Sequence, residues 1–437
     1  MSLLKHYDHS IMIDADACTG CVRCTLACPV EAIRVRGGKA VLIRENLCID
    51  CGECLRICPH QAVKAMTTQY KDLTGFKAVV ALPSPVLYGQ FGEQYTPNDI
   101  LLALHRIGFD YVYDVAFDCE MVMAAVDEYL RRETAPRPMI SIFCTPVVRM
   151  ITKNYPKLVD HLTPVRLPRE HGAKMARRKV AEERGIRPEE VGVFHITPCS
   201  AKIVSIAKPI GVDKSYLDGV IAIRDLYLPL KSALKEVEKA EDDLIIQRSS
   251  GVGMSWAIGR GSIYGLPRRA SLSVSGVNDV IGILDDLDAG RHTDIDYLEC
   301  SICPEGCVGG PLVVENKHVA TSRIESLIEQ YGVQSRIDPR KVLRQFEQHF
   351  LLDRERFRPQ TPEPLDSDLR KALEKMAKIE EYAAMLPGIQ CGACGSPTCR
   401  ALAEDIVRGH AKFSDCVFVR IKELEDAAAG RTARAGS

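Results

Sequence analysis

The chain reads as an α/β multidomain protein, and two observations carry that reading. Strand-length apolar runs alternate with helix-like stretches through its middle, and dense cysteine motifs stand at both ends. Its 437 residues are enough for two or three domains with cores of their own. Of 18 cysteines, eight precede residue 60, six lie from Cys119 to Cys307, and four are Cys391, Cys394, Cys399 and Cys416. A formal charge of −1 gives no reason to expect nucleic acid or an anionic membrane as partner. No apolar run approaches membrane-spanning length. The start, MSLLKHYDHS, lacks a signal-peptide pattern. Clustered thiols without an export signal read as metal ligands in a reducing cytosol, not as disulfides, so a cytoplasmic location is expected.

The first element is a repeated C-x2-C-x2-C-x3-C-P run. Cys18, Cys21, Cys24 and Cys28 precede Pro29, and Cys48, Cys51, Cys54 and Cys58 precede Pro59. A pair of zinc sites or a disulfide scaffold is the alternative. Zinc sites rarely use three cysteines so tightly spaced, and the doubled run ending in Cys-Pro predicts two 4Fe–4S cubanes. In this motif three thiolates of each run hold one cluster and the fourth holds the other. One cluster is then expected on Cys18, Cys21, Cys24 and Cys58, the second on Cys48, Cys51, Cys54 and Cys28. Each proline stops an immediate helix and turns the fourth thiolate away. Residues 9–68 resemble a bacterial-type two-cluster ferredoxin, an α+β domain, which implies an electron carrier.

The middle, 75–352, carries apolar runs at 77–82, 111–115, 139–143, 191–196, 219–223 and 244–246. Nearly continuous apolarity over strand length predicts strands buried on both faces. Helix-like stretches at 98–107, 120–132 and 169–183 separate them. Alternation of this kind predicts mostly parallel sheets. A proline-rich linker and a helix over 366–385 are expected within 353–385. A small four-cysteine module follows at 386–420, and a disordered tail over 421–437.

Three cysteine motifs in the middle stand where strands should end: Ser141-Ile-Phe-Cys144-Thr-Pro, Thr197-Pro-Cys199-Ser-Ala-Lys202, and Glu299-Cys300-Ser-Ile-Cys303-Pro-Glu-Gly-Cys307-Val-Gly-Gly. Strand C-termini of an α/β sheet meet at one crevice, so these loops can build one site. Gly306, Gly309 and Gly310 are expected to let backbone approach a bulky inorganic ligand. The motifs are similar to the three signature loops of the catalytic domain of iron–iron hydrogenases. The resemblance implies a cubane on Cys144, Cys199, Cys303 and Cys307, with Cys307 bridging to a diiron unit bearing carbonyl and cyanide ligands. It implies that Lys202 contacts a cyanide, a strong acceptor for a cation; a solvated surface lysine is the alternative. It also gives the glycine-rich stretch 249–255 a use as cavity wall, with Met254 touching the diiron unit or packing in the core.

The chain departs from that family at two places. Prototypical members have a proton-carrying cysteine before the first-loop ligand, where this chain has Phe143. They have a glutamate six residues after the second-loop cysteine, where this chain has Ser205. Thr145 also separates Cys144 from Pro146, and with Cys144 as relay the frame would be one ligand short. The ligand frame without the fast proton path resembles the sensory branch of the family. Cys119 is expected to be a small buried hydrophobe or a substitute proton donor. Cys300 could ligate in place of Cys303, although the four-residue spacing to Cys307 favours Cys303.

At the C-terminus, Cys391, Cys394, Cys399 and Cys416 follow C-x2-C-x4-C-x16-C, with Gly392 and Gly395 shaping an anion nest. This resembles the small helical four-cysteine 4Fe–4S module of redox and sensory proteins; a zinc knob is the alternative. The modules are thus expected to place cubanes at both ends of the chain with the hydrogenase-like centre between. Together these features predict an iron–sulfur protein of an oxygen-avoiding cell that senses hydrogen or redox state with slow turnover. Its expected partners are dihydrogen or protons, a redox protein and a separate signalling output protein. A working hydrogenase with another proton route, or an electron carrier holding cubanes and no diiron unit, are the rivals.

Overall fold

The computed structural model describes residues 9–42, 45–132, 135–209, 213–237, 244–266, 269–348, 351–352, 357–360 and 363–435. The start of the expected linker (353–356), its residues 361–362, and the last two residues of the expected tail lie outside these. The chain forms two compact units. The smaller comprises Ile11–Cys48, Glu53–Ala65 and the chain beyond Gln360; the larger comprises Ile49–Gly52 and Met66–Gln360 with His9 and Ser10.

In the smaller unit, β1 (Ile11–Ile13) pairs antiparallel with β4 (Val63–Ala65), and β2 (Ile33–Arg36) with β3 (Lys39–Leu42). Short helices Arg23–Leu26 and Glu53–Ile57 carry Cys24 and Cys54. The cysteine repeat is also a backbone repeat. Left-handed φ values recur thirty residues apart, at Gly20 and Asp50, Val22 and Gly52, and Glu31 and Gln61. Helices Leu369–Met385, Cys399–Val407 and Val417–Ala435 complete the unit. The last runs through most of the expected tail, because its alanines and alternating charges favour a helix.

These C-terminal helices pack with the N-terminal hairpin although the sequence separates them by hundreds of residues. Arg34 Nε donates to Asp405 Oδ2 at 2.6 Å, with both side chains 1% exposed. Arg36 Nη2 and Ser396 Oγ donate to the same oxygen at 2.7 and 3.0 Å. A carboxylate so buried needs those donors to offset its lost hydration. Asp405→Ala strands Arg34 without its counter-charge. It should destabilise the smaller unit by about 3–5 kcal/mol, read as a lower denaturant midpoint for loss of its visible absorbance.

The larger unit holds two parallel sheets. One has the order β6 (Tyr111–Val112), β5 (Ala78–Pro83), β8 (Val191–Thr197), β9 (Gly219–Ala222). The other runs β10 (Ser271–Ser275), β11 (Tyr297–Ser301), β7 (Met139–Ile140). Every residue of β5 and β8 is buried. Ala78, Val80 and Leu82 enter one apolar cluster with helix Pro168–Arg184, while Val79 and Ala81 enter another with helices Pro97–Arg106 and Ile223–Val237. This alternation places a helical layer on each face. Residues 244–246 are not a strand. Leu244 and Ile245 are exposed, and Asn98 holds this segment through the Leu244 carbonyl and the Ile246 amide.

Candidate metal centres

The three middle motifs begin where β7, β8 and β11 end. Ser141 to Cys144 follow β7, Pro198 and Cys199 follow β8, and Ile302 and Cys303 follow β11. Parallel strands send such loops to one side of the sheet. There they border a cavity of about 110 Å³ lined by Cys144 and Cys307, with Cys119, Cys300, Lys202, Arg169, His195 and Glu299 also on its wall. The glycines of the third loop serve packing against protein. A Cβ at Gly310 would strike the Pro198 carbonyl, and one at Gly306 (φ +83°) would strike the Gly259 amide.

Three thiols share this electrostatic environment. Burial raises the Cys144 thiol, and the nearby Cys199 raises it further, while the Ile302 amide donates to its sulfur at 3.5 Å. Burial pushes Cys307 up to about 12, with Lys202 opposing and Cys144 and Cys199 adding to the rise. The Cys307 sulfur faces the open space and is accessible there, yet protein surrounds that space, which is why burial dominates. A bound cation reverses this balance by holding thiolates directly. Cys303 is half-buried one turn before Cys307, with its carbonyl accepting from the Gly306 amide.

Lys202 is not a solvated surface lysine. Its Nζ donates to the Phe143 carbonyl at 2.8 Å and to Thr145 Oγ1 at 3.3 Å, so it ties the second loop to the first. Burial and Arg169 lower its pKa, opposed by the three thiols. Ser205 donates to the Lys202 carbonyl and accepts from Arg169 Nη2 at 3.0 Å. Burial, with Arg169 and Lys202, depresses His195 to about 3, so the imidazole is neutral at pH 7, its Nδ1 2.8 Å from the Leu82 carbonyl. Met254 is fully buried within the apolar core, and the wall from its segment is Trp256 and Ile258. Trp256 packs on Phe143 with ring centroids 4.1 Å apart.

Arg169 and Trp256, also on the cavity wall, belong to none of the three motifs. Glu299 stands in the third motif, but its carboxylate is taken up by the Arg260 and Ser262 amides, both at 2.9 Å. Cys119 and Cys300 are both buried on the cavity wall, and burial raises both thiols.

In the smaller unit, burial raises the Cys24 thiol, and Cys18, Cys21 and Cys58 raise it further. These four line a small cavity with Val35 and Ala40. Cys48 and Cys28 act similarly on Cys54, after burial. Amides of Ala40 and Ala32 donate to the sulfurs of Cys18 and Cys28, both at 3.3 Å. Such donors favour an anionic sulfur. Cys51 belongs to the Ile49–Gly52 stretch of the larger unit. Its neighbour Asp50 accepts from the Ser10 amide at 2.7 Å, and the Asp50 carbonyl accepts from Ser200 Oγ at 3.0 Å, beside Cys199. In the C-terminal module burial raises Cys394, with Cys416 and Cys391 adding to it. Left-handed Gly392 and Gly395 shape that loop, and the Cys399 amide donates to Gln390 Oε1 at 2.6 Å. Among the described residues no three His, Cys, Asp or Glu side chains stand ready around a single ion. The amides aimed at sulfur and the left-handed glycine nests suit a cubane.

Comparison with known proteins agrees with this composition. Residues 77–271 match the family model "Iron only hydrogenase large subunit, C-terminal domain", residues 10–71 a 4Fe-4S dicluster domain, and residues 386–418 an Fe-S cluster domain. Iron hydrogenase 1 of Clostridium pasteurianum is 26% identical over 193 residues, covering 40% of this chain and 33% of that protein. The NADP-reducing hydrogenase subunit HndD of Solidesulfovibrio fructosivorans is 23% identical over 289 residues, covering 54% and 49%. The chain therefore spans a third to a half of the length of these relatives. An FeFe-hydrogenase structure from Chlamydomonas reinhardtii superposes with a TM-score of 0.50 at 18% identity, covering 68% of this chain and 97% of that one. The chain thus has the FeFe-hydrogenase α/β fold, and it is an iron–sulfur protein with 4Fe–4S clusters. No helix among the described residues is long and apolar enough to cross a membrane.

Four complete cysteine quartets should hold about sixteen irons per anaerobically reconstituted chain, at four per cubane. Metal analysis should find little zinc, and Cys394→Ser should lower the iron by one cubane's share.

Proposed function

We propose that the chain is a hydrogenase-like redox sensor: it binds a cubane and a diiron unit at the three-loop cavity, responds to dihydrogen, and turns over slowly. What supports this most is the convergence of Cys144, Cys199, Cys307 and Lys202 from three separate strand ends. Cys144, Cys199, Cys303 and Cys307 would hold the cubane, and Cys307, facing the open space, would bridge. A diiron unit bound there would supply an open iron position for heterolytic splitting of dihydrogen.

The chain's own residues then govern access and protons. Lys202 presents a fixed cation to the cavity, anchored on the first loop. Phe143 and Trp256 form an aromatic wall on that side with no group that titrates near neutral pH. At the second place where the family carries an acid, Ser205 is engaged by Arg169 and by the Lys202 carbonyl. A guanidinium stays charged and gives up no proton at neutral pH. Neutral His195 spends Nδ1 on Leu82. Binding of dihydrogen needs no relay, so the site can report it while proton export limits turnover. Electrons would pass through the ferredoxin-type clusters to a one-electron redox partner, and a separate protein would carry the signal.

Infrared spectroscopy of protein co-produced with the hydrogenase maturation machinery tests the metal assignment. Carbonyl and cyanide bands should appear and should vanish in Cys307→Ser. Their absence from the unmodified protein leaves a cubane-only electron carrier as the correct reading.

The proton argument has its own test. A missing positioned acid or base lowers rate about 10²–10⁴-fold. Hydrogen should therefore change the cluster spectrum clearly while turnover stays slow, and Phe143→Cys should raise the rate, with Ser205 limiting the gain. Fast turnover in the unmodified protein would defeat the sensory reading and make Cys119 the next donor to replace.

A further inference from the structure

In the smaller unit the C-terminal cysteine loop is built onto the wall of the first cluster site. Val35 lines the space bounded by Cys18, Cys21, Cys24 and Cys58, and its amide donates to the Gly395 carbonyl at 2.8 Å. Gly395 directly follows Cys394. Arg36 Nη1 reaches the Cys394 carbonyl at 3.4 Å, and its other nitrogen joins Ser396 and Asp405. Leu26, between Cys24 and Cys28, packs where Gly392 has no side chain, and a Cβ on Gly395 would collide with the Val35 carbonyl. The contact is therefore made by backbone, at two glycines that carry positive φ. One residue, Val35, thus touches both sites, through its side chain on one side and its amide on the other.

We propose that the cubane held by Cys391, Cys394, Cys399 and Cys416 exchanges electrons directly with the cubane held by Cys18, Cys21, Cys24 and Cys58, across Val35 and Gly395. The C-terminal module is then an electron port to the ferredoxin clusters. Cubane motifs at both ends of the sequence thus become neighbours within one unit. In the step one cubane loses an electron and its neighbour gains it, with no bond or proton transferred. The first electron comes from an external low-potential one-electron donor. Arg36 and Asp405 are positioning residues, since they fix the loop against the hairpin without lying on either cluster wall.

The proposal rests on the 4Fe–4S clusters and is independent of the diiron unit, so it survives or fails apart from the hydrogen chemistry. Electron paramagnetic resonance of the full-length, reconstituted protein reads it during a stepwise reduction with dithionite. As the C-terminal cubane becomes paramagnetic, the ferredoxin signal should broaden and relax faster. Cys394→Ser should lose that added broadening and keep the ferredoxin pair. Arg36→Gln, at a partly exposed side chain that reaches the Cys394 carbonyl, should weaken the broadening while iron content stays whole. A fully reduced spectrum of the unmodified protein equal to the simple sum of a ferredoxin pair and an isolated cubane would overturn the proposal, whatever the variants do.

Discussion

Parallel strand direction is the constraint on which the hydrogenase-like centre depends. β7, β8 and β11 are far apart in sequence and belong to two sheets, yet each ends at the same cavity. A parallel strand needs a crossover before the next, so helices occupy both faces and leave the strand ends as the open edge. The thiols inherit their meeting place from that topology. Their loops are then locked to one another: the third loop on Pro198 and Gly259, the second on the first through Lys202.

Burial sets the chemistry inside. Without a cation, desolvation favours neutral thiols at Cys144 and Cys307, and burial, with Arg169 and Lys202 adding to it, keeps His195 uncharged. A cavity with several thiols beside Lys202 and Arg169 is suited to an anionic, electron-rich metal group. Phe143 and Trp256 on its wall, and the engaged Ser205, contribute no group that titrates near neutral pH.

Much of this was legible. The runs at 78–83, 191–197 and 219–222 are continuously apolar because both faces of their sheet are covered. The cysteine spacing announced its cubanes because ligand geometry imposes it. Other features left no periodic trace. β10, Ser-Leu-Ser-Val-Ser, alternates polar residues, since Ser273 turns toward Glu299. β11 was concealed within the third motif, and the apolar 244–246 segment lies exposed. Arg169 reads as a helix-start charge, and only folding brings it beside Ser205. The docking of the C-terminal module centres on Arg34, Arg36 and Asp405 with the Val35–Gly395 backbone bond, and no local pattern joins such distant partners.

The Arg34–Asp405 bridge has a consequence for synthesis. Its residues are 371 positions apart. At the usual pace of translation the hairpin waits about 20–70 s before Asp405 has been made. During that interval Arg34 must stay hydrated, and the wall that Val35 gives the first cluster lacks its backing from Gly395. Completion of the smaller unit is therefore a late event on the ribosome, whereas Met66–Gln360 gathers its strands from one continuous stretch. Delivery of iron and sulfide to Cys18, Cys21, Cys24 and Cys58 meets an open, accessible hairpin first and a closed one only after the C-terminal helices emerge.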